Sequence, residues 1–210
     1  MKSVKSLASV ILYLIGFVSH CLSQANHYYM TRRITKQKRG VIQYPYHISG
    51  IDNLFFGESV NIGKGSVIMC TRSKVIIEGH FVSGPNLTIV AGNHMSAIGR
   101  YLDEINEAEK DKLDKEHNYD RDIVIEKDVW AGANVTILKG VTIGRGAIIA
   151  AGSVVTKSMP SYCIIAGVPA QPIRMRWSVD EILRHEETLY TENERLDRKK
   201  LLLISQQIKR

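Results

Sequence analysis

From Ile125 to Val155 an aliphatic or small apolar side chain returns at every sixth position: Ile125, Ala131, Ile137, Ile143, Ile149 and Val155. A second column, Val129, Val135, Val141, Ala147, Ser153 and Met159, follows four residues after each of these, with Lys127, Lys139, Arg145 and Lys157 between the columns. A helical period fails on this pattern, and strict alternation covers only short pieces. The spacing predicts short, flat strands rich in Val and Ile, each followed by a tight turn in which Gly or Asn takes a positive φ. Three such sides close one coil of about eighteen residues, so that the first column points at the axis and each coil buries its apolar column on its neighbours.

Upstream the period is looser: Ile62 and Ile68 are six apart, and Ile77, Ser83 and Ile89 keep the spacing in a register shifted by three residues. No repeat is read before residue 60. Between Met95 and Asp122 the period vanishes and about half of the residues are charged. Loops of that length without repeat character are uncommon in compact domains and tend to be functional or disordered. We read 95–122 as an excursion from the coil, with a solvated insertion of no catalytic role as the alternative. After Arg174 the repeats stop. Ser178 and Glu181 have capping-box spacing, Val179, Ile182, Leu183 and Leu189 supply an apolar face, and Thr191 with Glu194 repeats the start signal. Two short helices are expected to close the open end of the stack. The chain is thus divided into an N-terminal apolar helix and basic segment (1–47), an all-β solenoid (48–175) with a loop at 95–122, and a C-terminal helical cap (176–210).

The stretch "IEKDVWAGANVTILKGVTIGRGAIIAAGSVVTK", followed by "IIAGVPAQPIR", resembles the hexapeptide-repeat acyltransferases, whose fold is a left-handed parallel β-helix. It is most similar to their sugar O-acetyltransferase branch, with galactoside and maltose acetyltransferases as relatives, over Val75 to Arg174. The handedness and a homotrimer are what that resemblance implies; period alone does not give the hand. It also implies an acetyl-CoA-dependent O-acetyltransferase acting on a sugar hydroxyl, with surface polysaccharide or glycan assembly as the expected setting. Fold by itself does not give function, so a noncatalytic β-helical scaffold and an N-acetyltransferase of a nucleotide-linked amino sugar stay as alternatives.

His94, in "TIVAGNHMSAIG", is the candidate general base, at the boundary between the last upstream coil and the charged loop. Acetyl transfer to an alcohol needs a base near neutral pH, which suits imidazole. His94 aligns with the family's catalytic histidine through "KVIIEGHFVSGPNLTIVAGNH". The relatives' oxyanion serine falls on Ala133, so a backbone N–H at Gly132 or Ala133 has to serve. Asn93, next to His94, is the candidate for the group that orients the base or the acceptor. The resemblance carries the coenzyme role to Ala151, Thr156, Lys157 and Arg174, whose types suit pantetheine amides and phosphates; a second family arginine corresponds to Gln171. Trp130 falls off the axial columns, so its indole is expected outside, against a sugar face or, preferably, a neighbouring subunit.

Metal chemistry is the rival enzyme class, and the histidines lack the convergent spacing of a zinc site, so no metal is expected. Cys21, Cys70 and Cys163 are isolated, which argues against a disulfide framework and fits a reducing compartment. Residues 1–40 hold Lys2, Lys5, Arg32, Arg33, Lys36, Lys38 and Arg39 with no acidic residue, which accounts for the whole formal charge of +7; the rest balances, with 28 − 7 = 21 basic against 21 acidic. Nucleic acid is therefore not expected as a partner. Leu7 to Val18 is an uncharged apolar run too short to span a bilayer, with a stripe suited to an interface. A cytoplasmic protein with peripheral contact on the inner face of the membrane through residues 1–40 is expected; a cleaved secretory signal or a helix capping the first coil are the alternatives.

Overall fold

The computed structural model describes residues 2–35 and 40–208. Lys36, Lys38 and Arg39 of the basic segment lie outside the described residues. The chain divides into two compact units, 1–37 and 38–210. The first is one helix, α1 (Lys2–Thr35). It is far longer than the twelve-residue apolar run suggests, and the window Ala8–Asn26, none of it buried, is long and apolar enough to cross a membrane.

The second unit consists of mostly parallel sheets with flanking helices. Its strands are β1 (Gly40–Ile42), β2 (Tyr46–Ser49), β3 (Leu54–Ile62), β4 (Ser66–Met69), β5 (Val75–Ser83) and β6 (Thr88–Val90), then helix α2 (Glu107–Leu113). There follow β7 (Ile123–Ile125), β8 (Trp130–Ala131), β9 (Thr136–Leu138), β10 (Thr142–Ile143), β11 (Ile148–Ile149) and β12 (Val154–Val155). A hairpin, β13 (Cys163–Gly167) with β14 (Ala170–Met175), and helices α3 (Val179–Leu189) and α4 (Arg198–Ile208) complete the chain.

Parallel register makes these strands a stack of rungs. Thr136 pairs with Val154, Trp130 with Ile148 and Val124 with Thr142, each an offset of eighteen residues. Each coil therefore returns over itself after three short sides. One side is β2, β4, β6, β9 and β12; the other two run together into one sheet because β3 and β5 continue through a corner. The columns read from the sequence are the core. Ile125, Ala131, Ile137, Ile143, Ile149 and Val155 are all fully buried, and so are Val135, Ala147 and Ser153 of the second column. Ser153 tolerates this because its hydroxyl donates to the Ala150 carbonyl at 2.7 Å.

The upstream looseness has a geometric cause. Leu54 pairs with Val75 and Val67 with Thr88, so coils there take twenty-one residues, three more than downstream. The surplus shifts the hydrophobic register by three without expelling any axial residue: Ile62, Ile68, Ile77 and Ile89 are all buried. β1 and β2 pair in parallel with β3 and β4, so the rungs reach back to Gly40, ahead of both the expected start at 48 and the region where repeats could be read.

The C-terminal end is closed by α3 and α4, as the capping signals predict. Ser178 Oγ accepts from the Glu181 N–H at 3.3 Å and Glu181 Oε2 accepts from the Ser178 N–H at 2.9 Å. Thr191 and Glu194 form the same box but start only a single 3-10 turn, Glu192–Glu194, and α4 begins later. Leu189 is exposed, contrary to its expected place on the apolar face. The rest of that face is as expected: Ile182, with Val179 and Leu183 beside it, packs on Leu201, Leu196 and Tyr162. Within it Glu186 is fully buried and accepts from Tyr162 Oη at 2.5 Å and the Leu196 N–H at 2.8 Å. Burial, and then that carboxylate, push the Tyr162 phenol far above its ordinary range.

Candidate active site

The side containing β6, β9 and β12 has two edges of different character. At the edge where the chain enters this side, successive coils approach too closely for side chains. A Cβ on Gly84 would lie 2.7 Å from the Ala133 nitrogen, and one on Gly132 would lie 2.6 Å from the Ala151 nitrogen. Gly132, Ala133 and Ala151 therefore line one corner of the stack. The Gly132 N–H is already used, donating to the Ile149 carbonyl at 2.8 Å, so it does not serve as an oxyanion donor; that expectation is corrected. The Ala133 carbonyl accepts from the Gly152 N–H at 2.9 Å, while no hydrogen bond from the Ala133 N–H occurs among the described residues.

The opposite edge is where the chain leaves β6. Here the ladder offset jumps: Ile89 pairs with Ile137, and 137 − 89 = 48 residues, or 30 more than an eighteen-residue coil. The extra chain is the charged excursion, and it is ordered from a neck. Gly92 and Asp120 form an antiparallel bridge, the Asn93 N–H donates to Tyr119 O at 2.8 Å, and the Arg121 N–H donates to Ala91 O at 3.0 Å. Gly92 has to be glycine, since a Cβ there would sit 2.1 Å from Asp120 Oδ1.

Beyond the neck, α2 starts at a capping box in which Asn106 Oδ1 accepts from the Glu109 N–H at 3.0 Å. One turn of this helix delivers Lys110 back to the neck, where its ammonium is buried. It donates to Asp120 Oδ1 at 2.8 Å and to the Asn93 carbonyl at 2.7 Å. Asp120 is equally buried and also receives Arg72 Nε at 2.9 Å, from the coil below. Arg72 in turn pairs with Glu107 at 3.0 Å and with Asp111. Asp114 fixes the return: burial would raise its carboxyl, but the Tyr119 and Asn118 N–H groups, at 2.8 and 2.7 Å, hold it below its ordinary value. Lys139 of the next coil donates to Asn118 O at 2.5 Å and lies over the Tyr119 ring.

His94 stands immediately beyond this clamp, exposed, in a cleft of about 360 Å³ that Met69, Thr71, Arg72, Val90 and Lys110 also line. Asn93 is exposed and tied through its backbone. Thr156 and Lys157 follow β12 on the same edge. Ile89, Ile137 and Val155 are successive ladder partners, which puts them two rungs from the His94 segment, roughly 10 Å along the stack. Arg174 is on β14, opposite Ile164, with its guanidinium donating to Met175 O at 3.1 Å. Trp130 is outward, as expected, and half exposed, but it sits on the neighbouring side of the stack and does not line the His94 cleft. Its ladder runs Val41, Asn61, Val82, Trp130, Ile148 and Ile164, an outer stripe that is apolar but for Asn61.

The sequence missed Lys110, Asp120 and Arg72. Fourteen-odd charged residues in one aperiodic segment look alike, and nothing in their spacing marks the pair that is folded inward. Among the described residues no grouping of His, Cys, Asp or Glu could hold a metal ion. Burial raises the Cys70 and Cys163 thiols, to about 11 and about 12.

Against known proteins, residues 122–157 match the family model described as bacterial transferase hexapeptide (six repeats). The chain is 42% identical over 121 residues to a polysialic acid O-acetyltransferase of Escherichia coli O1:K1 / APEC, covering 53% of this chain and 39% of that one. It is 29% identical to a galactoside O-acetyltransferase of Lactococcus lactis subsp. lactis (strain IL1403), covering 61% and 56%. The chain therefore spans less than two thirds of the length of these curated relatives. Among solved structures it resembles a hexapeptide-repeat containing acetyltransferase of Vibrio cholerae O1 biovar eltor complexed with acetyl coenzyme A, with a TM-score of 0.58, 26% identity, and coverage of 74% of this chain and 79% of that one. The resemblance to hexapeptide-repeat acyltransferases read from the sequence thus extends to named relatives and to the fold.

Proposed function

We propose that this chain is an acetyl-CoA-dependent O-acetyltransferase that acts on a sugar hydroxyl, built as a left-handed parallel β-helix and working as a homotrimer. The observation that carries the reading is an exposed histidine lining a cleft, directly after an Asn93 carbonyl held by a buried ionic clamp, at the edge of the stack where the chain departs from its repeat. Relatives named as polysialic acid and galactoside O-acetyltransferases support a glycan acceptor and a setting in surface polysaccharide assembly.

In this reading acetyl-CoA supplies an activated acetyl thioester. His94 accepts the proton of the acceptor hydroxyl as its oxygen takes the acetyl group, and the proton finishes on the departing thiol, with no covalent adduct to the protein. The acceptor lies in the His94 cleft, where Asn93 is the neighbouring polar side chain. The corner of Gly132, Ala133 and Ala151 fits a pantetheine arm, because it is narrow and the Ala133 N–H is left to donate; Thr156, Lys157 and Arg174 favour the anionic phosphates.

A trimer would complete the site. Within one chain, His94 and the Ala133 corner stand at opposite edges of one side, on the order of 15–20 Å apart. A cleft between two chains would bring one edge of each together, and the Trp130 stripe is the apolar surface available for that packing.

The test follows thiol release from acetyl-CoA over a panel of sugars, amino sugars and no acceptor, for the native chain and His94→Ala. Hydroxyl-dependent release that disappears in the variant is expected. Turnover on amines alone would reassign the chain to N-acetylation, and failure to bind acetyl-CoA would leave a scaffold.

A further inference from the structure

Helix α1 has no Asp, Glu, Lys or Arg from Ser6 to Thr31. Its window Ala8–Asn26 is nineteen residues long and unburied. At 1.5 Å per residue that is about 28 Å, close to the roughly 30 Å of a bilayer's hydrocarbon core. The apolar side chains are not confined to one stripe. Leu14 and Val18 share a face, Leu12 and Tyr13 are on the far side of the helix from them, and all four are half exposed or more. A helix that lies in the membrane surface carries a strongly charged face, and this one has none over seven turns.

Both ends are marked. Lys2 and Lys5 precede the apolar run. Tyr28 and Tyr29, both well exposed, are followed one turn on by Arg32 and Arg33, as at a lipid–water boundary, and Arg33 lies over the Tyr29 ring. The basic residues are unequal across the run: two before it, and five, Arg32, Arg33, Lys36, Lys38 and Arg39, directly after it. Such asymmetry retains the richer flank on the cytoplasmic side.

We propose that α1 crosses a lipid bilayer once, its start outside and the rung stack in the cytoplasm. This revises the peripheral contact expected from the shorter apolar run. It is independent of the acetyltransferase reading, although it puts the His94 cleft on the side where acetyl-CoA is made.

The full chain, expressed in cells, is expected to stay in the membrane pellet after extraction with alkaline carbonate, and its intact mass is expected to retain α1. Leu14→Arg combined with Ile15→Arg should move most of it to the supernatant, with the thermal midpoint of the stack unchanged. Protease added to inverted vesicles from those cells should digest the stack, and right-side-out vesicles should protect it. Carbonate release of the native chain would make the contact peripheral, recovery without α1 would make the helix a cleaved leader, and digestion in right-side-out vesicles would reverse the orientation; each overturns the proposal. None of these readouts depends on catalysis.

Discussion

The two edges of the side formed by β6, β9 and β12 obey opposite rules. At the Gly84–Gly132 edge the coils touch backbone to backbone, and a single added methyl group has nowhere to go. At the His94 edge the chain leaves the stack for some thirty residues and is brought back by charge: Lys110, Asp120 and Arg72. The first edge is set by sterics repeated from coil to coil. The second exists once, and it is where chemistry can be installed without disturbing the ladder.

The comparison is broken most severely by His94→Ala. If His94 is the base, acceptor-dependent turnover falls by about 10²–10⁴-fold while the thermal midpoint stays put. Steady-state kinetics beside a melting curve checks both halves. At the same edge, Lys110→Met removes the group that holds the Asn93 carbonyl. Breaking an isolated buried pair typically costs about 3–5 kcal/mol, but Arg72 still faces Asp120, so a smaller loss is expected here. It should appear as faster proteolysis within 95–122 and a reduced kcat, with KM for acetyl-CoA little changed and partial rescue in Lys110→Arg.

The glycine edge should answer differently. Gly132→Ala pushes a methyl group against the Ala151 nitrogen and is expected to lower stability by about 1–3 kcal/mol, the usual range for overpacking, with a corresponding fall in the thermal midpoint. A smaller effect follows from acidity. Glu181 is held below its ordinary value by its hydrogen bonds to Ser178, and Glu194 likewise by Thr191. A depressed folded-state pKa contributes stability that is present above the unfolded value and lost as pH falls through the folded one. The cap should therefore loosen below about pH 4.5, and Ser178→Ala should flatten that dependence in an acid titration followed by circular dichroism. Smallest of all, Lys157→Ala should raise KM for acetyl-CoA about 2- to 5-fold, the scale of an exposed charge contact.

The outcome at particular residues shows where sequence reading succeeds. Ile125 through Val155 could be assigned to the axis because a coil of constant length makes burial periodic, and period survives in one dimension. Even the three-residue phase slip between Ile68 and Ile77 was visible, and it proves to be the mark of longer upstream coils. Residues 40–60 were not legible, since β1 and β3 join the stack without a repeated aliphatic spacing. His94 was singled out through resemblance and its place at the repeat boundary, and it lines a cleft at the edge where the chain leaves the stack. Trp130 was correctly read as outward, yet its separation from the His94 cleft needed the ladder register.

The sequence alone determined the coil, its buried columns, the point of departure at His94 and the helical closure, because each is local or periodic. Tertiary structure alone decided that Lys110 and Asp120 turn inward, that Gly132's N–H is spent on Ile149, and that the Ala133 corner and His94 occupy opposite edges of one side. Those facts depend on which distant backbone meets which side chain in the folded stack. No spacing along the chain encodes that meeting.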